Sequence, residues 1–138
     1  MNLPQAQPAA FEYPIRIYWE DTDAGGIVFY ANYLKFFERA RTEWLRSLGV
    51  GQQSLRDETG GMFVVSETHI KYHRPAKLDD ALRVTARLSE VGRASLTIEQ
   101  QAFRDNTLLC EGSIRIGWVQ ADGLKPSRIP ASVLERLT

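Results

Sequence analysis

The chain is poor in the residues that most metal and nucleophile chemistries require. Its 138 residues include one cysteine and two histidines. A lone Cys110 cannot close an intrachain disulfide, which suits a reducing, cytoplasmic setting. It lies in "TLLCEGSIRI", a strand-like run with no basic or histidine neighbour, and reads as a small buried hydrophobe rather than a nucleophile. His69 and His73 have the four-residue spacing that chelates on a helix, but "SETHIKYHRPA" alternates like a strand. Four strand residues span about 13 Å, too far for one zinc ion, so no metal is expected. Net charge is absent too: Lys+Arg and Asp+Glu each total 17, which leaves no overall field to attract nucleic acid.

Other absences narrow the function further. No apolar run approaches the roughly 20 residues of a membrane span. The start, "MNLPQAQPAAFEYP", has neither a basic n-region nor an apolar h-region of a signal peptide, so a soluble cytoplasmic protein is expected. The serines lack a GxSxG elbow, and neither GxxxxGK[ST] nor GxGxxG occurs, so no serine-hydrolase elbow or phosphate loop is encoded.

What remains is a sequence of ordinary globular composition, 43% hydrophobic and 25% charged, sized for a single domain. Residues 1–10, with Pro4 and Pro8, read as a flexible tail, and residues 11–138 as the domain. "YPIRIYWE" (13–20) alternates Ile15, Ile17 and Trp19 against Arg16, Tyr18 and Glu20, the pattern of a strand. "DTDAGG" is a loop. From Asn32 to Leu48 the period becomes helical. Tyr33, Phe36, Phe37, Ala40, Trp44 and Leu48 share one side, and Gly49 and Gly51 end the run. After a connection at 50–61, strands are expected at 62–76, 81–91, 94–104 and 108–120, with a terminal helical turn at 130–137. The short links "KLDD", "GR" and "DNT" imply neighbouring antiparallel strands. One helix covers only one face of such a sheet. The sheet should therefore curl around it and leave an edge or outer face for a second subunit, giving a homo-oligomer.

The densest chemistry sits in "EDTDAGGIVFYANYLKFF" (20–37). Asp21, Thr22 and Asp23 fit a turn, because such side chains accept local backbone hydrogen bonds. They also fit a hydrolytic site. Gly25 and Gly26 remove side chains where a ligand could approach, and the first turn of the helix offers unpaired N–H groups to a developing oxyanion. The residues alone leave both readings open. Glu67 is a possible second carboxylate, but a solvated strand-face charge is the simpler account. The same holds for Arg74, Lys77 and Arg93, which fall at strand ends where a phosphorylated ligand could be held.

"RIYWEDTDAGGIVFYANYLKFFERARTEWLRSLG", with Arg16-Ile17, Thr22-Asp23, Gly26-Ile27-Val28 and Asn32-Tyr33, closely resembles the hotdog-fold acyl-CoA thioesterases of the 4-hydroxybenzoyl-CoA thioesterase type. The likeness is greatest to the branch associated with the Tol-Pal cell-envelope system. "HRPAKLDD" and "SEVGRAS" extend it over about residues 12–120. The resemblance implies an α+β fold, a curved antiparallel five-stranded sheet wrapped around one long central helix. It implies dimers or tetramers with sites at subunit interfaces, and no metal or other cofactor. By the same resemblance Asp23 is the catalytic carboxylate, acting as nucleophile or general base, and the backbone N–H of Tyr30 polarises the thioester carbonyl. Trp19 would wall the acyl pocket, Gly25 and Gly26 give clearance, and Arg93 would hold nucleotide phosphates. The substrate would be an acyl-CoA, with an acyl carrier protein as a further candidate donor. The sequence departs from the branch at two positions: Trp19 stands where Tyr is common, and Tyr30 where His is common. A non-hydrolytic acyl-binding module on the same fold is the alternative. A hotdog dehydratase fits less well, having no histidine near Asp23.

Overall fold

A computed structural model describes residues 10–137, so the tail expected at 1–10 lies almost wholly outside the described residues. The elements are β1 (Phe11–Arg16), α1 (Asn32–Ser47), α2 (Gln52–Thr59), β2 (Gly61–Tyr72), β3 (Ala81–Val91), β4 (Ser95–Arg104), β5 (Thr107–Gln120), β6 (Lys125–Pro126) and α3 (Ala131–Leu137). They form one antiparallel sheet in the order β1-β3-β4-β5-β2, with the two-residue β6 added to β5.

The long helix forms as its periodicity predicts. Tyr33, Phe36, Phe37, Ala40, Trp44 and Leu45 are buried against the sheet. The helix stops where Gly49 takes φ +82°, with Gly49 N–H donating to the Arg46 carbonyl and Val50 N–H to the Leu45 carbonyl. This is a Schellman closure, which a residue bearing a Cβ would disfavour. The facing surface of the sheet supplies Leu82, Val84 and Ala86 from β3, Leu96 and Ile98 from β4, and Ile114, Ile116 and Trp118 from β5. One polar cluster crosses this core. Arg41 donates to Gln100 Oε1 (2.9 Å), and Gln100 Nε2 donates to the carbonyls of Phe37 and Thr85. Burial pushes the Arg41 guanidinium below its ordinary pKa.

Three expectations change. The first strand ends at Arg16, and Trp19–Asp21 is a single 3-10 turn. Trp19 therefore does not continue the inward alternation of Ile15 and Ile17. It is 78% exposed, whereas those two are buried. The connection at 50–61 contains α2, which buries no residue and so carries no apolar stripe to announce it. Finally, "KLDD" does not join neighbours. β2 pairs with β5, and β3 pairs with β1 and β4, so residues 73–80 carry the chain from one edge of the sheet to the other side. The edges of the sheet are β1 and the twelve-residue β2.

Candidate active site

The segment between β1 and α1 folds back on itself. Thr22 and Val28 form an antiparallel bridge, Asp23 N–H donates to the Ile27 carbonyl (2.9 Å), and Phe29 N–H to the Asp21 carbonyl (3.0 Å). The turn at its tip is shaped by glycine. Gly26 has φ +80°, a left-handed conformation that L side chains resist, and its N–H donates to the Asp23 carbonyl (3.0 Å). Gly25 N–H donates to Asp23 Oδ1 at 2.8 Å, and a Cβ on Gly25 would lie 3.3 Å from that oxygen. The glycines thus have a local cause: one supplies backbone freedom, the other a donor and a bare face beside the Asp23 carboxylate.

The two aspartates differ in environment. Asp21 is buried. Its carboxylate accepts Tyr18 N–H (2.8 Å), and its carbonyl accepts both Phe29 N–H and Asn32 Nδ2 (2.8 Å). It is a turn-forming residue. Asp23 is exposed, and among the described residues only Gly25 N–H donates to its side chain, leaving Oδ2 free.

Tyr30 follows the hairpin at the entrance to α1. The first helical N–H groups are taken in tight turns, Asn32 to Phe29, Tyr33 to Tyr30 and Leu34 to Ala31. The N–H groups of Tyr30 and Ala31 donate to no other described residue, so they remain open at the positive end of the helix. In the ladder Asp23 lies opposite Ile27, three residues before Tyr30 in the chain.

The Tyr30 ring is 62% exposed and joins an aromatic series. It contacts Phe29 (centroids 4.9 Å) and the edge of Tyr72 (5.9 Å), and Tyr72 contacts Tyr33 (5.7 Å). Burial raises the pKa of both Tyr33 and Tyr72. The sequence reading missed Tyr72, whose place at the end of β2 is forty-two residues from Tyr30 in the chain.

The remaining candidates divide. Trp19 lies beside Tyr18, Leu78 and Asp79 around an open apolar hollow of about 380 Å³ at the base of the same hairpin. Lys77 is bridged to Ile27 through the backbone, so the fold brings this strand-end base to the Asp23 loop. Arg93 is exposed in the β3–β4 turn, and the eleven residues of β3, about 35 Å, separate it from the loop within one chain. Glu67 is occupied elsewhere, its Oε2 2.9 Å from His69 Nε2. His73 Nε2 lies 2.6 Å from Glu111 Oε2. Among the described residues no group of three or more His, Cys, Asp or Glu is arranged to hold a metal ion. Cys110 is buried, and burial raises its thiol to about 12.

A family model described as the thioesterase-like superfamily matches residues 17–137. The chain is 45% identical to an acyl-CoA thioesterase, YbgC, of Haemophilus influenzae, over 89% of this chain and 90% of that protein. It is 40% identical to an Escherichia coli acyl-CoA thioester hydrolase, also YbgC, over 90% and 92%. A crystal structure of a probable thioesterase from Bartonella henselae superposes with a TM-score of 0.83 at 33% identity, covering 88% of this chain and all of that one.

Proposed function

The chain belongs to the thioesterase-like superfamily, and from that membership we propose that it hydrolyses acyl-CoA thioesters to a free acid and CoA through Asp23. One observation carries the assignment of residues. An exposed carboxylate, oriented by Gly25 N–H, stands on a hairpin that leads directly to open N–H groups at the start of α1. In this reading the thioester carbonyl accepts a hydrogen bond from Tyr30 N–H, which stabilises the negative oxygen that forms when the carbonyl is attacked.

Two routes use the same atoms. Asp23 Oδ2 attacks the carbonyl carbon, the C–S bond breaks, CoA leaves as thiolate, and water then hydrolyses the mixed anhydride. Alternatively Asp23 removes a proton from a water that attacks the carbon, and the thiolate leaves and takes up that proton. A thiolate is a good leaving group, so neither route calls for a metal or a strong general acid. Label in Asp23 after a single turnover in ¹⁸O water would identify the first route with water attacking the aspartyl carbonyl, and hydroxylamine trapping of the anhydride separates the routes whichever carbonyl water attacks.

The site is proposed to be completed by a second copy of the chain. Both sheet edges, β1 and β2, have one side without a partner strand among the described residues. Tyr72 at the end of β2 already touches Tyr30, so pairing along β2 would bring a second chain to the site. Arg93, remote within its own chain, would then serve a neighbouring site by holding CoA phosphates. A homotetramer built from two such dimers, a cytoplasmic location and a role beside the Tol-Pal system complete the proposal, with acyl carrier protein as a possible second donor. No described helix is long and apolar enough to cross a membrane.

The test is thiol release from a panel of acyl-CoA esters by wild type and by Asp23→Asn. The asparagine oxygen can still accept Gly25 N–H, so the turn should survive while hydrolysis falls by at least about 10³-fold. Asp21→Asn, whose amide oxygen can still accept Tyr18 N–H, is expected to stay within about three-fold of wild type. Wild-type hydrolysis by Asp23→Asn would remove Asp23 from the mechanism. A wild-type protein that binds but never cleaves any acyl-CoA would favour the non-hydrolytic module.

A further inference from the structure

The Asp23 hairpin makes few bonds to the sheet directly. Both of its feet rest on the crossover that joins β2 to β3. At the entry, Ile17 N–H donates to the Asp80 carbonyl (2.9 Å) and Asp79 N–H to the Ile17 carbonyl (3.0 Å), while Arg16 donates to the Asp79 carbonyl (2.7 Å). At the exit, Val28 N–H donates to the Ala76 carbonyl (2.9 Å), Leu78 N–H to the Gly26 carbonyl (3.3 Å), and Ile27 is bridged to Lys77. Residues 76–80 are therefore the platform that sets where the Asp23 turn stands.

That platform is irregular backbone and needs fastening of its own. Asp79 sits at φ +72°, a conformation that a non-glycine residue holds only when its surroundings impose it. The fastening comes from Asp80 and Arg104. Asp80 Oδ2 accepts Lys77 N–H (2.8 Å), closing the turn from within. The same oxygen accepts Arg104 Nη1 (2.8 Å), and Arg104 also donates to the Pro75 carbonyl (3.2 Å). Arg104 ends β4, so this pair is where the crossover is tied to the sheet by charge. A second tie comes from α1, whose Tyr33 hydroxyl accepts Ala76 N–H (3.2 Å).

We propose that Arg104 and Asp80 are the positioning pair of the active site: by fixing residues 75–80 they set the height and orientation of the turn that carries Asp23. Arg104 lies eighty-one residues from Asp23 in the chain and touches neither the turn nor Tyr30 among the described contacts. Its effect passes through backbone bonds that fix geometry, and a shift of about 1 Å in a reacting group costs up to about 100-fold in rate. The inference rests on the reading of Asp23 as the working carboxylate.

The experiment uses Arg104→Met, Arg104→Lys, Asp80→Asn and Val133→Ala. Val133 is buried in α3 and makes none of these bonds, so its truncation supplies a matched loss of stability. With an acyl-CoA that wild type cleaves, Arg104→Met is expected to lower kcat about 10–100-fold with KM within about two-fold. Arg104→Lys should recover most of that loss. Asp80→Asn should lower kcat about 3–10-fold. Amide exchange by NMR gives a readout independent of turnover: Val28 and Leu78 should exchange faster in Arg104→Met and not in Val133→Ala. Unchanged exchange at both amides, or an equal fall in kcat in Val133→Ala at the same Tm, overturns the proposal. Should Arg104→Met not fold, Asp80→Asn decides by the same two readouts. If Asp23→Asn retains activity while the exchange result holds, the catalytic reading fails and the platform stands.

Discussion

Replacing Gly26 by alanine separates two reasons for a glycine beside Asp23. One is space for an incoming thioester; the other is the backbone, held at φ +80°. A Cβ built on Gly26 finds no atom within 4 Å, so in the free chain the substitution has no steric cost. Its whole effect is conformational, about 1–2 kcal/mol for a side-chain-bearing residue in the left-handed region. If the turn melts only with the whole domain, that cost lowers Tm by about 3–10 °C and leaves kcat/KM intact. If the turn relaxes locally, the same energy lowers the ratio of competent to relaxed turn by a factor of about 5–30, and kcat/KM falls by up to that factor at nearly constant Tm. The local outcome is expected. The turn is an exposed hairpin tip, whose bonds beyond its own ladder run to residues 76–80. Gly25→Ala is the informative partner, because its φ is ordinary and its Cβ would press on Asp23 Oδ1 from 3.3 Å. It should lower kcat without the conformational cost. Calorimetry together with kcat/KM on one acyl-CoA measures both variants. Wild-type values for Gly26→Ala in both measurements would refute the argument that a left-handed turn positions Asp23.

Two further outcomes follow from single groups. Tyr30→Pro removes the proposed oxyanion donor, an N–H that bonds no other described residue, so kcat should fall about 10²–10³-fold in a folded protein. Tyr30→Phe keeps the N–H and should stay within a few-fold in steady-state kinetics. Cys110 tests burial: its thiol is raised from 9.0 to about 12, so folded protein keeps the proton over a range where unfolded chain has lost it. That stabilisation, at most about 4 kcal/mol, is complete below pH 9 and is lost as pH rises toward 12. Wild-type Tm should therefore fall more steeply than that of Cys110→Ala between pH 8 and 11 in parallel melts.

The sequence announces whatever a local period can carry. The aromatic side of α1 is legible because Tyr33, Phe36, Phe37, Ala40 and Trp44 repeat every three or four residues and are all buried. β3, β4 and β5 are legible because alternate residues enter the core and the links between them are two or three residues long. What fails is of two kinds. α2 lies on the surface with nothing buried, so its sequence holds no stripe to detect. The pairing of β2 with β5, and the platform under Asp23, depend on partners tens of residues apart, such as Arg104 with Pro75, which no periodicity encodes.

Asp21 and Asp23 show the same limit within one loop. Both are acids in a turn, two residues apart, and by residue type either could accept local hydrogen bonds or serve a substrate. The 3-10 turn resolves the ambiguity: ending β1 at Arg16 swings the chain so that Asp21 points back to Tyr18 N–H and becomes buried. The bridge from Thr22 to Val28 then places Asp23 at the open tip. A buried carboxylate already receiving a backbone donor has little capacity left for a reacting group, whereas Asp23 keeps a free oxygen on the solvent side. Burial therefore divides two similar residues into one that builds the turn and one that the turn presents. Tyr30 follows at the end of the same hairpin, where its ring packs edge to face with Tyr72.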